Sequence, residues 1–177
     1  SLIDLNTSTP LVKETDNYIK EFTPKLSLFL SPNKSDNITT LDRKINNTNI
    51  FSTNRLGLKE SLEGGQSLTL GTEYNLNKSD GSNIFQIDLA QIYRANDNNN
   101  LPTKTTRNNK VSNLFGDVKL NANQYLDFEY NFALDDNFKT LNYNMIKSTF
   151  SINNFVTSFE FLEENNTMGS NSYLSNE

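Results

Sequence analysis

The chain contains no cysteine and no histidine. The first absence excludes disulfides and thiolate metal sites within it, and the second removes the commonest general base. Together they exclude most zinc chemistry and cysteine nucleophiles. A basic excess is missing as well: 16 Lys and Arg stand against 21 Asp and Glu, a net charge of −5 spread without a block, so no electrostatic footprint for nucleic acid exists. No run approaches the roughly 18 apolar residues of a transmembrane helix, which leaves a β-barrel as the only route across a bilayer. No leader is visible, and a start at Ser1 without Met reads as a mature chain or a fragment.

What is present is β pattern. Hydrophobic content of 34% and a mean hydropathy of −0.63 are low for a globular protein, yet aromatics at 11% and clear alternation argue against disorder. A barrel gives the same averages, because only alternate strand residues meet lipid. About one residue in six is Asn, well above ordinary usage and in keeping with an AT-rich coding sequence. The Asn-X-Ser/Thr triplets this produces number about what chance supplies, so they carry no glycosylation signal.

Alternating runs separated by turn-forming clusters predict eight strands, at 22–30, 48–58, 66–76, 83–94, 111–121, 124–134, 139–150 and 154–163, and no helix. Several run to about 9–12 residues, longer than the usual soluble strand and close to the roughly 9–11 that carry a tilted strand across the hydrocarbon layer. Each has an apolar parity and a polar one. In 124–134, Leu126, Phe128, Tyr130, Phe132 and Leu134 oppose Asp127, Glu129 and Asn131. In 66–76, Leu68, Leu70 and Tyr74 oppose Glu73. In 83–94, Phe85, Ile87 and Leu89 oppose Gln86 and Asp88, with Ile84 and Ile92 blurring the contrast. In 154–163, Phe159 and Phe161 oppose Glu160. Strand 139–150 changes parity between Met145 and Ile146, which either a bulge near Met145 or a misplaced strand would explain. Short and long connections alternate from 77–82 onward. The long loop 31–47 breaks that rule, falling on the side that should be short.

Catalytic chemistry finds little support. The acidic pairs Asp135–Asp136 and Glu163–Glu164 sit in or beside turns, and Asp127 with Glu129 lies on a face expected to be polar. The stretches 77–81 and 97–101 lack the ligand spacing of a calcium loop, and the Glu63-Gly64-Gly65 turn is followed by no helix that could cradle phosphate. No enzyme, cofactor or metal site is expected. Pattern alone leaves two architectures open: an outer-membrane barrel, or a soluble β-sandwich that buries its apolar parity.

Three stretches narrow the choice. NIFSTNRLGLKESLEGGQSLTLGTEYNLN at 49–77 carries Asn54, Arg55, Gly57, Glu63, Gly65, Leu68 and Gly71 in an NR-x-G…E-x-G-x-x-L-x-x-G order. FQIDLAQIYRANDNNNLP at 85–102 carries Gln91, Tyr93, Arg94, Leu101 and Pro102, and the stretch from Lys110 to Asp136 carries Ser112, Asn113 and Gly116. In this order they resemble the barrel region of the LPS-assembly outer-membrane family LptD. The resemblance implies an all-β fold: an antiparallel up-and-down meander of about eight strands within a larger transmembrane barrel of about twenty-six. Residues 1–177 would then be one internal segment of that barrel, in the bacterial outer membrane.

It further implies that Leu68, Leu70, Tyr74, Phe85, Ile87, Leu89, Leu126, Phe128, Tyr130, Phe132, Phe159 and Phe161 face lipid. Glu73, Gln86, Asp88, Asp127, Glu129, Asn131 and Glu160 would line the lumen. The implied role is assembly and translocation of lipopolysaccharide, with a plug lipoprotein and periplasmic LPS-bridge proteins as partners and no bond made or broken. The alternatives are a secreted carbohydrate-binding or adhesive β-sandwich, or a small independent outer-membrane barrel.

Overall fold

The computed structural model describes residues 2–32, 34–39, 44–57, 63–101, 108–123, 125–166 and 169–176, with the backbone alone for 166 and 169–176. These residues contain no helix. Ten strands make one antiparallel sheet: β1 (Ile3–Ser8), β2 (Leu11–Glu14), β3 (Tyr18–Ser31), β4 (Gly65–Lys78), β5 (Asn83–Arg94), β6 (Leu114–Asn123), β7 (Leu126–Leu134), β8 (Leu141–Ile152), β9 (Phe155–Asn166) and β10 (Gly169–Asn176). Sequence neighbours pair throughout, so the topology is a meander, and the sheet does not close on itself within this chain.

β1 and β2 pair with successive parts of β3, Ile3–Ser8 against Lys25–Leu30 and Leu11–Glu14 against Ile19–Phe22. They form one edge strand broken at Thr9–Pro10. The break faces Pro24 of β3, which has no N–H to give a ladder; two prolines thus share a single interruption instead of making two.

The expected strand at 48–58 is corrected. Residues 47–56 are wound in turns and lie within the single connection 32–64 between β3 and β4. Ile50 and Leu56 share one parity, as residues of a strand face would, but backbone turns such as Asn46 to Ile50, where the Ile50 N–H donates to the Asn46 carbonyl at 3.0 Å, use up the ladder groups locally. This correction removes the anomaly of loop 31–47. The strand ends joined by the long connections 32–64, 95–113 and 135–140 are all at one end of the sheet, and those joined by the short connections after β2, β4, β6 and β8 are at the other.

The edge strands β1, β2 and β10 were not expected, and the remaining strands start or end within a few residues of their predicted bounds. The parity change in β8 comes from a bulge, as expected, but at Asn142 rather than near Met145. The register slips between Ala133 and Leu134, which pair with Tyr143 and Leu141 and leave Asn142 extra. Tyr143 and Met145 therefore belong to the polar face, and Ile146 and Phe150 to the apolar one.

Two turns show why they form where they do. Asp80 accepts hydrogen bonds from the Ser82 backbone N–H (2.9 Å) and hydroxyl (2.6 Å), while Gly81 takes φ +86°. Asn153, at φ +50°, makes the tight reversal between β8 and β9, a conformation Asn tolerates better than most residues.

Candidate functional site

Cross-strand register sorts the side chains into two faces. Leu68, Leu70, Tyr74, Phe85, Ile87, Leu89, Leu126, Phe128, Tyr130, Phe132, Phe159 and Phe161 share one face, together with Gln91, Tyr93 and Gly116. Glu73, Gln86, Asp88, Asp127, Glu129, Asn131 and Glu160 share the other. The apolar face is open: Leu70 is 42% exposed, Phe22 44% and Phe159 44%. A sandwich would cover this face with a second sheet, and the described residues form only one.

The polar face divides along the strand direction. Toward the tight turns it is a charged wall. Lys119, Glu129, Lys147 and Glu160 are successive cross-strand neighbours on β6 to β9, alternating in sign. One row nearer the long loops, Glu73, Asp88 and Asp117 stand side by side. Lys25 answers them with its Nζ 2.5 Å from Glu73 Oε2 and 3.8 Å from Asp88 Oδ1, and Lys119 lies 3.9 Å from Asp117.

Nearer still to the long loops the same face turns apolar. Ala90, Ile92, Phe115 and Ala133 replace charged groups there, and Ile38, Ile45, Ile50 and Leu56 of the connection 32–64, with Leu101 of the next, are buried against them. The small side chains of Ala90 and Ala133 leave the depth that the incoming isoleucines fill. Ile92, which blurred the sequence pattern, is fully buried in this core.

The strap 44–57 crosses the polar face as part of that core. Its last residues are held by a buried ion triad. Arg55 Nε donates to Glu63 Oε2 at 2.5 Å, and Arg94 Nε donates to Glu63 Oε1 at 2.9 Å. Arg55 also donates to Ser67 Oγ (3.1 Å) and Thr69 Oγ1 (3.4 Å), and lies 5.6 Å from the centre of the Phe29 ring. Arg94 donates to the Asn109 carbonyl at 3.2 Å. Burial pushes the Glu63 carboxyl up, but the two guanidiniums outweigh it and hold the group below its ordinary range. One carboxylate therefore joins the connection 32–64 to the end of β5 and, through Arg94, to the connection 95–113.

The remaining motif residues gather at the same end. Gly57 adopts φ +62° just after Arg55, its N–H donating to the Asn54 carbonyl at 3.0 Å, and Gly65 adopts φ +98° as β4 begins. Gly71 makes room for the Phe51 ring: a Cβ there would stand 2.6 Å from Phe51 Cζ. Ser112 is fully buried, its hydroxyl accepting from the Ile92 N–H at 2.9 Å and donating to the Asn113 carbonyl at 2.7 Å. Gln91 donates to the Ser112 carbonyl (3.1 Å) and accepts from the Tyr93 hydroxyl (2.8 Å). Leu101 is fully buried. Pro102 lies outside the described residues.

Below the first half of the strap a cleft of about 440 Å³ opens against the wall of β6 to β9, with Phe115, Tyr143, Met145 and Leu162 as its apolar lining and Lys44, Asp117, Lys119, Glu129 and Glu164 as its charged one. Sequence reasoning missed the strap and this cleft. A trace was there: the polar parity becomes apolar at Ala90, Ile92, Phe115 and Ala133, all near one end of their strands. The protein-family model described as LptD, LPS transport system D, matches residues 1–176. No curated protein matches the chain.

Proposed function

The chain belongs to the LptD family of outer-membrane LPS transport proteins, and on that premise we propose that its strands span the outer membrane as an internal part of the barrel wall. The apolar face meets lipid. The charged face lines the lumen through which the glycan part of lipopolysaccharide passes and against which a plug lipoprotein sits, and the periplasmic LPS-bridge proteins deliver the lipid from below. The tight-turn end lies in the periplasm and the long-loop end outside, following the usual inequality of barrel loops. The unpaired outer sides of the β1–β2 edge and of β10 continue into further strands of the same barrel, since an open edge is a template for pairing.

The observation that carries this reading is the uncovered apolar face of a sheet whose other face is charged. Strands of 12 to 14 residues in β3, β4 and β5 exceed the roughly 9–11 needed to cross the hydrocarbon layer. Nothing in the reading requires chemistry on the substrate; the work is conduction. A single-cysteine scan of β7 in the parent protein in native membranes tests it, using a membrane-impermeant thiol reagent and a lipid-phase probe. Labelling at 127, 129 and 131, with lipid contact at 128, 130 and 132, is the expected result. Protection of 128, 130 and 132 from both reagents would make that face a protein core and overturn the reading.

A further inference from the structure

The strap touches strands far apart in the sheet. Lys44 pairs with Glu164 of β9, Asn47 Nδ2 donates to the Asp88 carbonyl of β5 at 3.1 Å, Phe51 rests on Gly71 of β4, and Thr53 donates to Asp4 of β1. From β1 to β9 the sheet order runs through seven strand spacings. At about 4.8 Å each, a flat sheet would separate those two strands by about 34 Å.

The strap is shorter than that. Fully extended, residues 44–53 would reach about 32 Å. Two successive turns, 46–49 and 49–52, are closed by the Asn49 N–H on the Asn46 carbonyl (3.3 Å) and the Ser52 N–H on the Asn49 carbonyl (2.9 Å). Each turn spans under about 7 Å, which brings the reach down to about 24 Å. The side chains of Lys44 and Glu164 at one end, and of Thr53 and Asp4 at the other, share the difference with inward bending of the wall. We propose that residues 44–57 are an internal tie that sets the curvature of the wall from β1 to β9.

Three features fit a tie better than a loosely packed loop. Its two ends are fixed by ion pairs, Lys44–Glu164 at one and Arg55–Glu63 at the other. In its middle the Ile50 side chain is buried against the wall, only 1% exposed. The wall is thinned beneath it at Gly71 and Ala90, so the tie lies close to the backbone it bends. Twist alone rotates neighbouring strands without fixing the radius of a wide sheet, and this sheet gains a second determinant from its own concave face. A tie on the inner face acts in the same way whichever solvent the outer face meets.

The test is a distance measurement on the parent protein in detergent. Ketone-bearing non-natural residues at Thr7 and Glu163, both exposed on the outer face of β1 and β9, take spin labels without touching any cysteine elsewhere. Pulsed dipolar spectroscopy then reads the spread between them. The native strap is expected to give one narrow distribution. Replacing 44–57 by a Gly/Ser chain of equal length should at least double its width and move it outward, and Lys44→Ala, which frees one end only, should give about half that change. Superimposable distributions for native, replacement and Lys44→Ala proteins would overturn the proposal, leaving strand twist and barrel closure to set the arc. If the replacement does not assemble, Lys44→Ala decides alone, by the same criterion.

Discussion

Gly116 of β6 and Phe132 of β7 are cross-strand partners, and the Phe132 ring lies where a Cβ on residue 116 would stand, 2.1 Å from its Cζ. The aromatic ring covers the backbone that glycine leaves bare, and it also stacks with Tyr130 at 5.3 Å between centroids.

Gly116→Ala must expel that ring, so it should lower the unfolding free energy by about 1–3 kcal/mol, in the range of other small-to-large changes at filled sites. Made in a Phe132→Ala background, the same substitution should cost almost nothing. A double-mutant cycle on denaturant unfolding in detergent reads the coupling directly.

The Arg55–Glu63–Arg94 triad should respond asymmetrically. Glu63→Ala leaves two buried guanidiniums without their shared carboxylate and should cost about 3–5 kcal/mol. The triple change Arg55→Met, Glu63→Leu and Arg94→Met removes every charge together and should cost far less. Equilibrium unfolding of the two variants compares them, and equal losses would show that the site needs ions rather than volume.

Acid should act through the same carboxyl. The folded pKa of Glu63 is depressed below its ordinary 4.5, so the stability it contributes is complete above that pH and is lost as the pH falls through the folded value. Stability of the native protein should therefore fall more steeply below about pH 4.5 than that of Glu63→Gln, whose residue 63 does not titrate. Unfolding midpoints measured from pH 7 downward check the difference in slope.

The strap core should be sensitive to volume. Ile50 is buried to 1% exposure among Ile45, Leu56 and the wall residues, and Ile50→Ala should cost about 2–5 kcal/mol through lost burial and the cavity left behind. Ile152, 42% exposed at the end of β8, should tolerate Ala with a much smaller loss in detergent. The unfolding free energies of the two variants rank them.

On the proposed membrane reading, charge should be tolerated by face. Phe128→Arg on the apolar parity should cost up to about 2–4 kcal/mol near the bilayer midplane, and Glu129→Arg one residue away, on the charged wall, should cost little. The yield of assembled protein in native membranes and its resistance to unfolding both read the contrast.

The sequence by itself determined the faces. Alternation in 66–76, 83–94, 124–134 and 154–163 has period two, and a strand with that period can place its residues in only one way once paired. The meander followed as well, because short turns such as Asp80–Gly81 leave antiparallel neighbours no other partner. Tertiary structure decided the fate of residues 32–64. Alternation over eleven residues cannot distinguish a strand from a strap that buries Ile50 and Leu56 while winding in turns, since the two differ in where the backbone hydrogen bonds go and not in which side chains are apolar. The motif residues Arg55, Glu63 and Arg94 were legible as a pattern in the chain. That one carboxylate joins both arginines depends on the connection 32–64 meeting the end of β5 over the polar face, a long-range contact that local periodicity does not encode.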